Sequence, residues 1–588
     1  MSPRPALPNT RLRLQVVVGV LGLVAVVLVA RAVNLQWVDR EFYQRQGDAR
    51  YLRELPIPTS RGMIIDRNGE PLAVSSPVES LWANPRELLP HPERLAELSA
   101  VLDIEPGLLE ARLAQRADRE FVYLRRHLSP EAAAAVLERG FPGVYSQREF
   151  RRFYPQGEVM AHVLGFTNID DRGQEGLELA FDEWLSGVPG AKRVIRDRRG
   201  RIVENVDLIR APRPGRDLRV SLDRRVQYLA YRELKRALLE HAAASGSVVI
   251  LDVRSGEILA MVNQPSYNPN AREDMDPSSQ RNRAVTDVFE PGSVMKTFTA
   301  VAALETGRYT PDSVFHTSPG FMMVAGHRVS DVRDFGTLSL TRMLTKSSNV
   351  VAAQLALDMP AVHHHDVLRR FGFGRPTGSG FPGEAAGVLS APTAWGTLER
   401  ATIGFGYGLS VTALQLAQAY AAIGNGGVLT TPSFLAGAPP QRQTVIDPDL
   451  AASVLRMLET VTGPEGSARA AVVPGFRVAG KTGTSRRAVA GGYQKRYISL
   501  FAGLVPASAP RLAMVVVIND PQGEAYYGGL VAAPVFGRVM EAALRVLDVP
   551  PDDVQAWLAA SPVRRGTAQA EQSAEALIDE AAQREVAR

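Results

Sequence analysis

Ser293 and Lys296 are the residues of this chain whose types and spacing could do chemistry together. They lie in Glu290-Pro291-Gly292-Ser293-Val294-Met295-Lys296, and apolar residues continue past them at helical spacing: Phe298, Val301, Ala302 and Leu304. On a helix, positions i and i+3 share one face, about one turn apart. A serine hydroxyl is a weak nucleophile until a base takes its proton. A lysine is such a base only as the neutral amine, a form favoured by burial and by cationic neighbours. The pair is thus a possible nucleophile and base. Ser-x-x-Lys alone is common by chance, and most instances are a solvated serine beside a surface lysine.

Two later stretches change that weighting. Lys346-Ser347-Ser348-Asn349 contains Ser-x-Asn, and Lys481-Thr482-Gly483-Thr484 contains Lys-Thr-Gly. Ser-x-x-Lys, Ser-x-Asn and Lys-Thr-Gly, in that order and far apart, are the three signatures of penicillin-binding proteins and serine β-lactamases. Phe405-Gly406-Tyr407-Gly408, running on to Thr412 and Gln415, is similar to a further segment of penicillin-binding transpeptidases. The stretch Arg61-Gly62-Met63-Ile64-Ile65-Asp66-Arg67-Asn68-Gly69-Glu70-Pro71-Leu72-Ala73 resembles the signature that opens the non-catalytic domain of class B penicillin-binding proteins. Tyr154-Pro155-Gln156-Gly157 and His162 to Phe166 resemble the segment that ends it. Ser266 to Asn270, Arg281 to Phe289, Ile518 to Pro521 and Tyr526 to Gly529 resemble the septal, cell-division branch of class B.

The resemblance implies a peptidoglycan D,D-transpeptidase that acts on stem peptides ending in D-Ala-D-Ala and is trapped by β-lactams. In that reading Ser293 forms an acyl-enzyme and Lys296 takes its proton. Ser347 passes a proton to the leaving amine, and Asn349 binds the substrate amide and helps place Lys296. Lys481 keeps the local field positive. Thr482, Gly483 and Thr484 form the substrate-binding segment, with Thr484 the closer ligand of the terminal carboxylate. Backbone N–H groups of Ser293 and Thr484 form the oxyanion hole. No metal or organic cofactor is implied. A lipid II-polymerising glycosyltransferase and other division membrane proteins are the implied partners.

These residues need elements to hold them. The chain has 588 residues, 45% hydrophobic and 22% charged, which is a globular composition too long for one core. Net charge is +5 without a basic block, so nothing points to nucleic acid. There is no cysteine, which excludes disulfides, a thiol nucleophile and thiolate metal sites. Arg4, Arg11 and Arg13 precede an apolar run from Val16 to Ala30. Basic residues before a span keep that end in the cytoplasm, so an uncleaved signal anchor with the rest of the chain outside is expected. Ala30-Arg31-Ala32 also mimics a cleavage site, but Arg31 sits inside it.

Asp39 to Leu55 reads as a helix or linker leaving the membrane. Arg61 to Ala73 reads as a hairpin with an Asn-Gly turn. Leu95, Leu98, Val101 and Leu102 recur as one helix face. Arg193 to Arg213, dense in charge, reads as a solvated connection, and His162 as a packed histidine. His363, His364 and His365 cannot all face one ion, and no acidic or cysteine cluster accompanies them. From Leu218 onward, Arg224 to Leu239 reads as an amphipathic helix. Ser247 to Leu251 and Ile258 to Val262 read as a hairpin, and Arg477 to Thr484, Ile498 to Val505 and Arg511 to Ile518 as three strands. The expected fold is α+β: an antiparallel sheet built from both ends of a domain, with helices between and around it. With the resemblance, the expected organisation is a cytoplasmic tail (1–13), a transmembrane anchor (14–35), a non-catalytic α+β pedestal (36–217), a penicillin-binding transpeptidase domain (218–550) and a flexible tail (551–588). The competing readings are an elongation-type class B enzyme, a D,D-carboxypeptidase, a β-lactamase and a non-catalytic division scaffold. The Arg61–Ala73 signature and the anchor argue against the carboxypeptidase and the β-lactamase.

Overall fold

The computed structural model describes residues 10–38, 52–196, 202–271, 276–489, 492–523 and 525–560. Most of the expected linker after the anchor and most of the expected C-terminal tail lie outside these residues. Near the N-terminus, the stretch Arg11–Trp37 is helical, has a mean hydropathy of 2.7 and buries nothing against the protein. It is long and apolar enough to cross a membrane.

The chain folds into two compact units, and it passes between them more than once. One draws on 1–60, 77–150 and 187–214, the other on 61–76, 151–186 and 215–588. In the first unit, the helix Pro92–Val101 buries Leu95 and Leu98, the face expected from their spacing. They join Leu81, Leu109, Leu113 and Val122 in a separate small core. Leu52–Ile57, Gly190–Arg196 and Ile202–Arg210 form a three-stranded antiparallel sheet. The charged 193–213 segment is therefore largely strand rather than a solvated connection. Within it Val194 is fully buried, although Arg193 and Arg196 stand close on either side. A high density of long charged side chains masks a strand behind net polarity.

The second unit is built on a five-stranded antiparallel sheet. Its order across the sheet is Ile258–Gln264, Ser245–Asp252, Leu512–Asn519, Gly492–Val505 and Ala479–Val489. The two ends of the domain pair directly, with Val248 opposite Val516 and Val249 opposite Val515. Helices cover both faces. On one side Leu234 of Arg224–Glu240 and Phe536 of Ala533–Val546 press against Gly246 and Gly503. On the other, Gly424 of Ala413–Gly424 meets Leu504, the next residue along the strand and so on the opposite face. A sheet covered on both faces needs continuous apolar strands, and Val248 to Leu251 and Leu512 to Val516 are buried without alternation. The helix Ala413–Gly424 is buried on all sides, Gln415 and Gln418 included, and starts with a capping box between Thr412 and Gln415.

The Arg61–Ala73 stretch is the expected hairpin, with Ile64 opposite Ala73 and Gly69 at a φ of 90° in the turn. Arg61 enters a buried charge cluster. Its Nε donates to Glu178 Oε2 at 2.7 Å, and Arg152 Nε donates to Glu178 Oε1 at 2.6 Å. Arg61 Nη1 also reaches Asp182 at 2.6 Å. His162 is buried with Nε2 2.7 Å from Ser279 O, and burial pushes its pKa down to about 4, so it is a packed neutral imidazole.

Glu178 is fully buried between two guanidiniums. Glu178→Ala leaves Arg152 without its counter-charge and Arg61 with Asp182 alone, and is expected to destabilise the protein by about 3–5 kcal/mol. Arg342→Ala, at the exposed Arg342–Glu465 pair, is expected to change stability by less than about 1 kcal/mol. Thermal melts of the detergent-solubilised full chain compare the two.

Candidate active site

Ser293 lies on a 3-10 turn, Gly292–Met295, that runs into the α-helix Lys296–Glu305. In a 3-10 turn residues i and i+3 eclipse, so Ser293 and Lys296 share a face more closely than the expected α-helix allows. Ser293 opens the turn, where its N–H has no partner within the helix. Gly292 holds a φ of 59°, and its N–H donates to Gly406 O at 3.0 Å. Tyr420 is buried beneath the turn and donates to Val294 O at 2.9 Å.

Ser347 and Asn349 come from the junction of two helices. Leu340–Lys346 ends at Ser347, which takes the left-handed conformation at φ 61° and ψ 43°, and Asn349–Asp358 begins two residues later. A serine held there is strained, and such strain persists where the surroundings over-determine it. The surroundings are visible. Asp331 accepts hydrogen bonds from the Ser348 hydroxyl at 2.6 Å, from Val350 N at 3.1 Å and from Asn349 N. Asn349 Nδ2 donates to Ser330 O at 2.9 Å, which turns Oδ1 toward Lys296.

Lys481, Thr482, Gly483 and Thr484 lie on Ala479–Val489, the edge strand of the central sheet. Gly483 passes the Ser293 turn so closely that a Cβ would sit 2.9 Å from Pro291 O and 3.1 Å from Val294 Cγ1. Glycine is thus needed to bring strand and turn together.

The two lysines meet at one hydroxyl. Lys296 Nζ donates to Ser347 O at 2.5 Å, to Ser347 Oγ at 3.2 Å and to Asn349 Oδ1 at 2.7 Å. Lys481 Nζ donates to Ser347 Oγ at 2.9 Å. Neither lysine has any solvent exposure. Burial and the charge of Lys481 push the Lys296 pKa well down, and the charge of Asp331 partly opposes this. Burial pushes Lys481 down to about 7. None of the Lys296 bonds goes to Ser293 Oγ, and catalytic hydrogen bonds of this kind tighten once substrate is bound.

Ser293, Ser347, Asn349, Thr482 and Thr484 all line one cavity of about 580 Å³. Thr484 Oγ1 accepts from Gly528 N at 2.9 Å, and the Thr482 hydroxyl lies 2.9 Å from that of Ser467. Tyr497, Tyr526 and Tyr527 form a stacked wall, with ring centroids 4.1 and 4.5 Å apart. Asp331 and Ser467 are the members of the site that carry no sequence signal, since neither lies in a motif. The site can activate a serine beside a neutral amine, relay a proton through Ser347, and hold a carboxylate with threonine hydroxyls. His363, His364 and His365 are far from this chemistry in role: His363 bonds Ala302 O at 2.9 Å, His364 is buried, and His365 lies edge-on to Trp395.

Comparison with known proteins agrees with this geometry. Residues 246–541 match the penicillin binding protein transpeptidase domain, and 56–220 match the penicillin-binding protein dimerisation domain. The chain is 43% identical over 546 residues to the probable peptidoglycan D,D-transpeptidase PbpC of Pseudomonas aeruginosa, covering 92% of this chain and 96% of that protein. It is 42% identical over 547 residues to the peptidoglycan D,D-transpeptidase FtsI of Escherichia coli K12, covering 92% of each. Among solved structures, a peptidoglycan synthetase from Bifidobacterium adolescentis matches with a TM-score of 0.67 at 26% identity, over 85% of this chain and 98% of that one. The transpeptidase domain of Burkholderia pseudomallei penicillin-binding protein 3 matches with a TM-score of 0.52 at 38% identity, over 57% of this chain and 97% of that one. With a Ser-x-x-Lys turn, a Ser-x-Asn junction and a Lys-Thr-Gly edge strand converging on one cavity, this chain belongs to the penicillin-binding proteins with a transpeptidase domain.

Proposed function

We propose that this chain is a membrane-anchored peptidoglycan D,D-transpeptidase that cross-links stem peptides outside the cytoplasmic membrane, at the division septum. The observation that carries the reading is the meeting of Lys296 Nζ and Lys481 Nζ at Ser347 Oγ, in the cavity that Ser293 lines. Ser293 Oγ attacks the carbonyl of the penultimate D-Ala as Lys296 Nζ takes its proton. Ser347 Oγ hands a proton to the departing terminal D-Ala and regains one from Lys296 Nζ, 3.2 Å away, while Lys481 keeps the local field positive. Thr482 and Thr484 hold the terminal carboxylate, with Thr484 the direct ligand. Gly483 lets the strand approach, and Asn349 binds the substrate amide. The N–H groups of Ser293 and Thr484 stabilise the oxyanion, each worth ~3 kcal/mol. An amine of a neighbouring stem then attacks the ester. The new amide forms, the ester C–O bond breaks, and Ser293 regains its proton. A β-lactam takes the place of D-Ala-D-Ala and leaves Ser293 acylated.

The proposal assigns 1–13 to the cytoplasm, 14–35 to the membrane, 36–217 to a non-catalytic pedestal, 218–550 to catalysis and 551–588 to a tail. Arginines before the apolar helix support that orientation. The septal role is supported by the runs 266–270 and 281–289 and by the likeness to the E. coli protein. A lipid II-polymerising glycosyltransferase and other division membrane proteins are the expected partners, because cross-linking needs freshly polymerised strands.

Intact-protein mass spectrometry after brief exposure to benzylpenicillin tests the reading. A penicillin-sized adduct that lasts many minutes is expected on the full chain and absent from Ser293→Ala. An adduct that decays with drug hydrolysis would instead identify a β-lactamase, and none on folded protein would leave a scaffold. Asp331→Ala strips the acceptor from the Ser348 hydroxyl and from the Asn349 and Val350 amides. It is expected to slow acylation about tenfold or more and to destabilise the chain by about 2 kcal/mol. Unchanged acylation by fluorescent penicillin would show that the junction is held by other groups.

A further inference from the structure

The active-site cavity has an end of its own at Thr482. The Ser467 and Thr482 hydroxyls lie 2.9 Å apart, and Gly529 packs on both, since a Cβ there would sit 2.1 Å from Ser467 O and 3.5 Å from Thr482 Cγ2. Lys346 joins them through Glu465, two residues before Ser467. Its Nζ donates to Glu465 O at 2.8 Å and lies 3.3 Å from Glu465 Oε2. Arg342, one turn earlier on Leu340–Lys346, donates to the same Oε2 at 2.8 Å. Lys346, Ser467, Gly529 and the exposed Leu530 all line the cavity here. Arg486 lines it four residues farther along the edge strand, ~13 Å away at ~3.3 Å per residue. Two cations thus share one carboxylate at the Thr482 end. That carboxylate is exposed, and an ion pair of this kind is worth less than about 1 kcal/mol. The Lys346 ammonium has three donors, and Glu465 supplies both of the acceptors near them among the described residues. No carboxylate lines the cavity among the described residues. The catalytic chemistry uses none of Lys346, Arg342 and Glu465.

The departing D-Ala fixes where the acceptor enters. Attack of an amine on the acyl-enzyme reverses the expulsion of D-Ala, so it follows the same path and the same proton relay. The neutral amine nitrogen bonds the acyl carbon and the ester C–O bond breaks. The amine proton passes to Ser347 Oγ, and through Lys296 a proton returns to Ser293 Oγ. The place at Thr482 and Thr484 falls empty when D-Ala leaves, and a carboxylate on the amine-bearing carbon of the acceptor refills it. The acylated donor fills the cavity on the Ser293 side, so the rest of the acceptor runs out at the Thr482 end, past Lys346 and Leu530.

We propose that Lys346, backed by Arg342, is a binding subsite for the acceptor strand and takes a second carboxylate, one aliphatic chain away from the attacking amine. Leu530 supports that chain. In the free protein Glu465 occupies the subsite as a tethered carboxylate, and it gives way to the carboxylate of the acceptor. This inference rests on the transpeptidase reading and deepens it, since it names the chemical class of acceptor.

The test gives the full chain one donor peptide ending in D-Ala-D-Ala and measures the ratio of transfer to hydrolysis with four acceptors. These are D-2-aminopimelate, its amide at the distal carboxyl, D-norleucine and D-lysine, which all carry a carboxylate beside the amine. Acylation is common to the four, so the ratio reports on the acceptor alone. The wild type is expected to transfer to D-2-aminopimelate about tenfold better than to its amide, as for one charge-assisted hydrogen bond, and no better to D-lysine than to D-norleucine. Lys346→Gln should collapse the acid-over-amide ratio. Glu465→Gln removes the competing carboxylate and should move that ratio the other way, raising it about threefold. A purely structural role would lower transfer to all four acceptors alike in both variants, and that result overturns the subsite while the transpeptidase reading stands. Equal transfer to acid and amide by the wild type does the same. Release of D-Ala with transfer to none of the four overturns the subsite and leaves a carboxypeptidase. Failure of the wild type both to release D-Ala and to form a penicillin adduct overturns the enzymatic reading and the subsite with it.

Discussion

Two lysines buried side by side are the constraint on which the active site depends. Burying an ammonium is costly unless it is hydrogen-bonded or gives up its proton. Lys296 and Lys481 are both fully buried, and the charge of Asp331 favours a proton on Lys296. The structure meets that cost with oxygen acceptors: the Ser347 carbonyl and hydroxyl, and Asn349 Oδ1. Those acceptors converge only because Ser347 takes a left-handed conformation between two helices. That conformation is held in turn by Asp331, which binds the start of the second helix. The strained residue, the carboxylate and the lysine pair are one unit, and removing any of them releases the others.

The edge strand is the second part of the arrangement. Ala479–Val489 completes a sheet whose strands 245–252, 258–264 and 512–519 are buried on both faces, so its backbone is fixed while its outer side has no strand partner. It carries Lys481 inward and presents Thr482 and Thr484 to the cavity. Gly483 lets it run against the Ser293 turn. A rigid strand beside a rigid turn sets the nucleophile and the carboxylate site in register without help from a mobile loop.

Much of this was legible in the sequence. The three motifs fix residue types because the chemistry tolerates few others, and all eight expected site residues fall on the elements that meet at this site. The sheet assembled from both ends of the domain was legible because its strands are short apolar runs set off by turn sequences. Three features were not. Asp331 acts across the fold on backbone amides 18 and 19 residues away, and no local pattern marks such a contact. The strands at 190–196 and 202–210 were hidden by their density of charged residues, which breaks any alternation of apolar and polar positions. The 3-10 turn at Ser293 has the same i, i+3 spacing as an α-helix, so the motif cannot separate the two. Arg61 was readable as structural, but its partners Glu178 and Asp182 lie more than a hundred residues along the chain.

The central claim is that burial makes a lysine a base at neutral pH, and the pH dependence of acylation tests it most directly. Burial penalises the cation, so the neutral amine is reached at a lower pH than in water, and acylation must rise as that proton leaves. Lys296 is that base, and burial and the charge of Lys481 hold its pKa well below that of a free lysine. The second-order rate of acylation by benzylpenicillin should therefore level off well below pH 10. A rate that keeps rising to the pKa of a free lysine, about 10.4, would contradict the account.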